Sequence, residues 1–258
     1  MYAENGNPPP KCKRATTLHT ETCSQTSNYC AGDGYASGST ITYGNLGSGS
    51  TLTTGDAFDC DVNGDGEYNS ETERFYYVTD MNSDIAVLIY YNNVSGGLPN
   101  NMTAYAYNTN NSDYLGPETA ILQLPTIEQW KNVSLTNTTR DIKDENGTTR
   151  ISGFSYSDYA ARLLTYEEVQ NGCYNGTTAI TSASGLSTKC QFLMENTNYS
   201  SNSLKTYGPW LETPYSSNAL RAWIVDGGSR SVGSISVRTA SSYGVRPAIE
   251  VLKSDIEI

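Results

Sequence analysis

The sequence predicts an α+β fold of mixed antiparallel β hairpins with two short helices, stabilised by disulfides. Three observations carry that prediction. Short apolar runs recur along the chain, separated by Gly, Ser and Asn, the punctuation of hairpins. Two capping boxes announce helices, one at Thr126 with Gln129 and one at Thr165 with Glu168. Six cysteines form an even set, and the single histidine, His19, leaves zinc without its customary partners.

At 258 residues the chain can bury one substantial core, and no shift in composition divides it. Residues 1–50 read as a loop-rich, cysteine-containing lead-in, with "STITYGNL" its clear strand. Residues 51–258 read as the main domain. There the apolar runs 75–78 and 85–91 flank "DMNSD" as strands flank a hairpin turn. Residues 92–118, rich in Asn, Gly, Pro and Tyr, read as a long loop. The first helix is expected from Thr126, with Ile127, Trp130 and Val133 on one face; the second follows Thr165, with Leu164 and Val169 as a hydrophobic staple. After Cys190, "QFLMENTNY" is an apolar piece with one buried face. Four strand candidates follow, "GPWLETP", "LRAWIVDGG", "RSVGSISVR" and "YGVRPAIEV". In the last, Val245, Ala248, Ile249 and Val251 are expected to be buried, with Tyr243 and Gly244 as the turn that feeds them into the core and the serines before them outside.

Cys12, Cys23, Cys30, Cys60, Cys173 and Cys190 permit three disulfides, and a bridge from Cys173 to Cys190 would close a Gly/Thr/Ser loop. Disulfides imply an oxidising compartment, hence an extracellular or cell-surface-anchored protein. The opening "MYAENGNPPPK" has neither the basic nor the apolar region of a signal peptide, and its Pro triplet reads as a stalk that follows a removed export or anchor segment. Sequons at Asn93, Asn101, Asn110, Asn132, Asn137, Asn146, Asn175 and Asn198 accept glycans only in a eukaryotic source.

A formal net charge of -11 argues against a nucleic-acid partner, and no run approaches the roughly 20 apolar residues that span a bilayer. His19 lies beside cysteines and reads as structural. Asp and Glu are abundant, but no pair is marked for acid–base work.

The metal candidate is "DVNGDGEYNSETE", residues 61–73. Asp61, Asn63, Asp65 and Gly66 reproduce the first, third, fifth and sixth positions of a calcium loop, and Glu67 and Glu71 add oxygen donors. Thr72 stands where a bidentate carboxylate is expected, between Glu71 and Glu73. Two readings stay open: a structural calcium site, or an Asn-Gly-Asp-Gly hairpin turn that binds nothing.

The order "QLPTIEQW", "ARLLTYEEV", "PWLETP", small hairpins and terminal "GVRPA" resembles a family of bacterial surface domains of unassigned function that end in a GVRPA strand. More distantly, it is similar to the C-type lectin-like fold of the formylglycine-generating enzyme class. That fold also hosts the variable proteins of diversity-generating retroelements. The resemblance covers residues 55–252. It implies a ligand-binding face over residues 215–243, carried by Tyr215, Ser217, Asn218, Arg221, Trp223, Arg230, Ser234, Ser236, Arg238 and Tyr243. Tyr, Ser, Asn, Trp and Arg are the vocabulary of adaptable binding surfaces. Strand alternation offers the other reading, in which half of these side chains, Trp223 among them, point into the core.

No cysteine follows Cys190, so the copper-dependent chemistry of the enzymatic relatives has no residues to carry it. The expectation is therefore a binding module rather than an enzyme, of adhesin or receptor-binding type, and possible membership of the retroelement group. A protein or peptide ligand is favoured over a sugar, because the calcium–sugar motif of lectin relatives is absent. The alternatives are a carbohydrate-active enzyme, for which a buried carboxylate pair in a deep cleft would speak, a cysteine-dependent enzyme, for which reduced vicinal thiols would speak, and a structural stalk or pilus-tip domain.

Overall fold

Asn82 closes the "DMNSD" turn by accepting the backbone N–H groups of Asp84 and Ile85, an Asx turn that sends the chain back on itself. The computed structural model describes residues 9–23, 36–174, 176, 180, 185–197 and 205–258. Its strands begin with β1 (Cys12–Arg14), β2 (Thr20–Thr22), β3 (Thr40–Thr42), β4 (Ala57–Cys60), β5 (Arg74–Asp80), β6 (Ile85–Tyr90), β7 (Val94–Ser95) and β8 (Leu98–Pro99). They continue with β9 (Thr139–Lys143), β10 (Thr149–Ser155), β11 (Gly208–Pro214), β12 (Arg221–Asp226), β13 (Ser231–Ser236), β14 (Tyr243–Gly244), β15 (Ala248–Leu252) and β16 (Ile256–Glu257). Helical structure comprises α1 (Tyr166–Tyr174), the 3-10 helix Thr188–Met194 and shorter 3-10 turns, so the α+β class holds.

The main sheet has the order β15-β6-β5-β4-β1-β16, antiparallel except for the β1–β16 pair. Both of its faces are covered. Phe58, Phe75, Leu88, Tyr90, Ile249 and Val251 pack into one apolar cluster, and Ala57, Tyr76, Val87, Ile89 and Ala248 into another. This explains why "IAVLIY" is apolar throughout instead of alternating: a strand covered twice has no wet side. The terminal "GVRPAIEV" enters this sheet beside β6, with Ala248 opposite Ile89 and Leu252 opposite Ile85. Tyr243 and Gly244 form a short strand, parallel to Gly208 and Pro209, where a turn was expected. A second sheet, β13-β12-β11-β14, contains the hairpins expected after Cys190.

The lead-in is woven into the main domain. Cys12 pairs with Cys60 across β1 and β4 and is disulfide-bonded to it, while Ile41 and Tyr43 are core residues. The expected Cys173–Cys190 bridge is present and joins α1 to the 3-10 helix. Cys23 is also disulfide-bonded. Cys30, Asn175 and Asn198 lie outside the described residues. Among the described residues no helix is long and apolar enough to cross a membrane.

The two capping boxes end differently. Thr165 and Glu168 exchange hydrogen bonds (Thr165 N to Glu168 Oε2, 2.9 Å; Glu168 N to Thr165 Oγ1, 3.1 Å) and α1 follows. Gly172 lets it lie flat, because a Cβ there would stand 2.4 Å from the Val78 carbonyl of β5. Thr126 and Gln129 make the same exchange at 2.9 and 3.3 Å, yet no regular helix follows. The turn is tied sideways instead: Gln129 Nε2 donates to the Gly96 carbonyl and Asn132 N to the Val62 carbonyl. Trp130 and Val133 are buried as expected, whereas Ile127 is 47% exposed.

Candidate functional site

The face expected over residues 215–243 divides into a buried and an exposed part. Trp223 and Tyr243 are core residues and cannot meet a ligand. Trp223 packs against Tyr166 and Tyr215 and donates Nε1 to Glu145 at 3.1 Å. Tyr243 packs against Trp210 and Tyr207, and burial pushes its phenol well above the ordinary range. Strand alternation explains this: β12 is buried on both faces, with Ala222 and Ile224 in one cluster and Trp223 and Val225 in the other.

Arg221, Ser234 and Ser236 stand half-buried where β12 meets β13, with Arg221 opposite Ser236. Arg221 is engaged within the protein, donating Nε to Ser234 Oγ at 3.1 Å and NH2 to the Ser234 carbonyl. It thereby caps a carbonyl on the outer edge of β13, a guard against stray strand pairing. Arg230 is exposed in the turn at the other end of this hairpin. At about 3.3 Å per residue, the five steps from Arg221 to Asp226 separate the two ends by about 17 Å.

What remains together is the turn 215–220. Asn218 shapes it, accepting the Leu220 N–H at 2.9 Å, and Ser217, Asn218 and Leu220 are exposed, as is Arg238 beyond β13. The structure adds a partner that sequence reading left inside a long loop. Asp113 N donates to the Ala219 carbonyl at 2.8 Å, which sets the 3-10 turn Asp113–Leu115 beside the turn. Tyr114, Leu115 and Leu220 are 47, 43 and 46% exposed. Arg150 lies 5.8 Å from the centre of the Tyr114 ring and donates to the Ser216 carbonyl at 2.9 Å. Behind this patch Asp113 is 1% exposed, and neither carboxylate oxygen has a hydrogen-bond partner. Burial raises its pKa to about 6 against the opposing pull of Arg150.

Next to the turn lies a polar cleft of about 890 Å³, bordered by β9, the 144–147 turn, α1 and β11. Glu145 ties it to the turn by accepting Ser216 N and Oγ at 2.9 and 2.6 Å. Glu168 and Glu212 line it, within a network of three carboxylates and two guanidinium groups. Arg162 holds Glu168 through NH1 and NH2 at 2.9 and 2.5 Å, and Glu250 through Nε at 2.7 Å. Arg140 approaches Glu212 at 3.2 Å, and Tyr156 donates to Glu212 at 2.8 Å. Desolvation raises the Glu212 pKa against the pull of Arg140 and Arg162. For Glu168 burial pulls the same way, but Arg162 outweighs it and the pKa falls below the usual carboxylate value.

The loop 61–73 forms the tight turn expected of it, with Gly64 and Gly66 at φ 72° and 88°. Asp61 accepts the N–H groups of Asp65 and Gly66 at 3.0 and 3.1 Å, Asn63 accepts Asp65 N at 2.8 Å, and Asp65 accepts Glu67 N at 2.8 Å. Glu71 points to solvent, whereas Glu73, outside the expected ligand set, is 4% exposed. His19 sits between this loop and the 3-10 helix, with Nε2 2.6 Å from the Ser70 carbonyl and Nδ1 2.7 Å from Glu195.

No protein-family model, curated protein or solved structure matches this chain.

Proposed function

We propose that this protein is an extracellular or cell-surface ligand-binding module of C-type lectin-like fold that recognises a protein or peptide through the turn 215–220 and the neighbouring turn Asp113–Leu115. One observation carries the reading. Tyr114, Leu115 and Leu220, from segments about a hundred residues apart, stand exposed on two turns joined by the Asp113–Ala219 hydrogen bond. An aromatic and two aliphatic side chains, with Arg150 at the rim and polar Ser217 and Asn218 beside them, have the anatomy of a binding hot spot. The strands behind them are buried on both faces, so the turn is presented with little ordering cost. Formed disulfides support the extracellular setting.

The test is a selection of phage-displayed random peptides on the immobilised full chain. Enriched peptides are expected to lose at least about tenfold in affinity against Y114A/L220A. They are expected to bind R230A, at the far end of the hairpin, as they bind the wild type. Equal binding to Y114A/L220A sinks this placement of the site.

Retroelement diversification belongs to the same reading, confined to exposed positions such as Ser217, Asn218 and Arg238, because changes at Trp223 or Tyr243 would cost core packing. Sequencing the gene's neighbourhood tests it. A near-copy of the codons for 215–243, differing mainly at adenines beside a reverse transcriptase, is expected; a neighbourhood without either removes the idea.

One observation favours a second reading, a carbohydrate-active site: Glu168 and Glu212 line one cleft with pKa values moved in opposite directions. Against it, Glu168 spends its oxygens on Arg162 and Thr165, and Glu212 accepts Tyr156 beside Arg140. Release of reducing sugar from a glycan panel by the wild type, abolished in E212Q, would establish this reading; no release returns the network to a structural role.

A further inference from the structure

The loop 61–73 contains a buried acceptor that the protein itself does not satisfy. Glu73 Oε2 accepts the Asn69 N–H at 3.0 Å, but the buried Oε1 has no hydrogen-bond partner. The carboxyl faces the Asn63 backbone and the charges of Asp61 and Asp65, so it is aimed into the loop. A buried carboxylate oxygen with no hydrogen-bond partner, facing two further carboxylates, is relieved by a proton or by a cation, and only a cation relieves all three carboxylates at once.

We propose that residues 61–73 form a calcium site closed by Glu73. The Asp61, Asn63 and Asp65 side chains and the Glu67 carbonyl supply the first, third, fifth and seventh positions of the loop, and Glu73 supplies the closing carboxylate. The sequence places Glu73 one residue late for that role. The structure removes the objection: Glu73 N donates to the Asn69 carbonyl at 2.7 Å, a tight turn that takes up the extra residue. Thr72 and Glu71 are left at the surface, where their carbonyls accept the hydroxyls of Tyr90 and Tyr91.

The donors are all oxygens, which selects a hard cation over zinc or copper. Among the described residues no three His, Cys, Asp or Glu groups already converge on one point. Binding therefore draws on the Asn63 amide and the Glu67 carbonyl as well, and exchanges the 3.0 Å Asn63–Asp65 side-chain hydrogen bond for contacts to the ion. Variable-geometry oxygen sites of this kind suit calcium, whereas magnesium demands a near-ideal octahedron.

The loop is also a junction. Asn132 Nδ2 donates to the Asp61 carbonyl at 2.6 Å, and Tyr68 OH donates to the Pro10 carbonyl at 2.5 Å. An ion here would tie the lead-in and the 130–133 turn to the main sheet, whether or not the recognition turn binds a peptide.

The experiment is calorimetric titration of the chelator-treated full chain with calcium chloride, paralleled by terbium luminescence sensitised by Tyr68. One binding event is expected, with a melting temperature that rises with calcium and less with magnesium. Glu73→Gln is expected to weaken calcium by at least about tenfold and Glu71→Gln by less than about twofold. Glu73→Asp, which keeps the charge and shortens the reach, should also weaken it and covers the case in which Glu73→Gln does not fold. Absence of both heat and terbium emission in the folded wild type overturns the site. Wild-type affinity in a folded Glu73 variant, or an equal loss in Glu71→Gln, overturns the assignment of Glu73.

Discussion

His19 and Glu195 stand 2.7 Å apart, and the other ring nitrogen of His19 lies 2.6 Å from the Ser70 carbonyl. Both neighbours are acceptors, and an imidazolium, with a donor on each nitrogen, satisfies both. Burial pulls its pKa down, but Glu195 and the Ser70 carbonyl more than offset this, and the pKa lies above its ordinary value of 6.5. A raised histidine pKa contributes stability that is complete below the unfolded value and lost as pH rises through the folded one. The stability difference between wild type and His19→Gln, from urea denaturation, should therefore shrink as pH rises from about 6.5 upward. A difference independent of pH from about 5.5 to 9 rules out the charged pair.

Asp113 follows the same sign for a different reason, because here the fold favours the neutral form of the group. Its raised pKa of about 6 means that the folded state holds the proton more tightly than the unfolded chain, so stability falls as pH rises from 3.8 to about 6. Removing the charge should help at neutral pH. Asp113→Asn is expected to stabilise the protein by about 1–2 kcal/mol at pH 7, with the gain vanishing below pH 4, as read by thermal melting across pH. A destabilised variant at pH 7 would mean that the carboxylate has a partner in solution.

Arg246, in "GVRPA", donates to the carbonyls of Leu193 and Glu195 at 3.1 and 2.5 Å and closes the end of the 3-10 helix. Desolvation lowers its pKa to about 10, so it stays charged at neutral pH. A lysine carries the charge without the planar fork. Arg246→Lys should cost about 2–3 kcal/mol in chemical denaturation. A cost under about 0.5 kcal/mol would show that the fork is dispensable.

The two bridges whose partners both lie among the described residues should differ in worth. Cys12–Cys60 closes 48 residues and Cys173–Cys190 closes 17, so loop entropy assigns them about 4 and 3 kcal/mol. Paired alanine variants, C12A/C60A against C173A/C190A, measured by denaturant unfolding, should fall in that order. The reverse order would make local packing, not loop closure, the dominant contribution.

Features that depend on near neighbours were legible before the fold was known. The "DMNSD" hairpin, the α1 capping box, the Cys173–Cys190 bridge and the burial of Val245, Ala248, Ile249 and Val251 each rest on short-range turn chemistry or on a local apolar pattern. The capping box at Thr126 shows the limit. It forms, but the Gln129 side chain and the Asn132 N–H donate to Gly96 and Val62, segments that only the fold brings near.

The candidate sites show the same division more sharply. The tight turn at 61–66 was readable from the spacing of Asp61, Asn63, Asp65 and Gly66, whereas the burial of Glu73 and its turn onto Asn69 are not written in that spacing. Trp223 and Tyr243 were placed on the binding face by the resemblance, and are core because packing covers them: Trp223 lies against Tyr166 and Tyr215, and Tyr243 against Trp210 and Tyr207. Tyr114 lay hidden in a loop until Asp113 met Ala219. The sequence by itself determined the hairpins, the helix start and a bridge, since each is decided within a few residues or one short loop. Which side chains stay exposed, which acceptors go unpaired and which distant turns meet was decided only by tertiary packing, because burial depends on what folds over a residue and no local pattern encodes its partner.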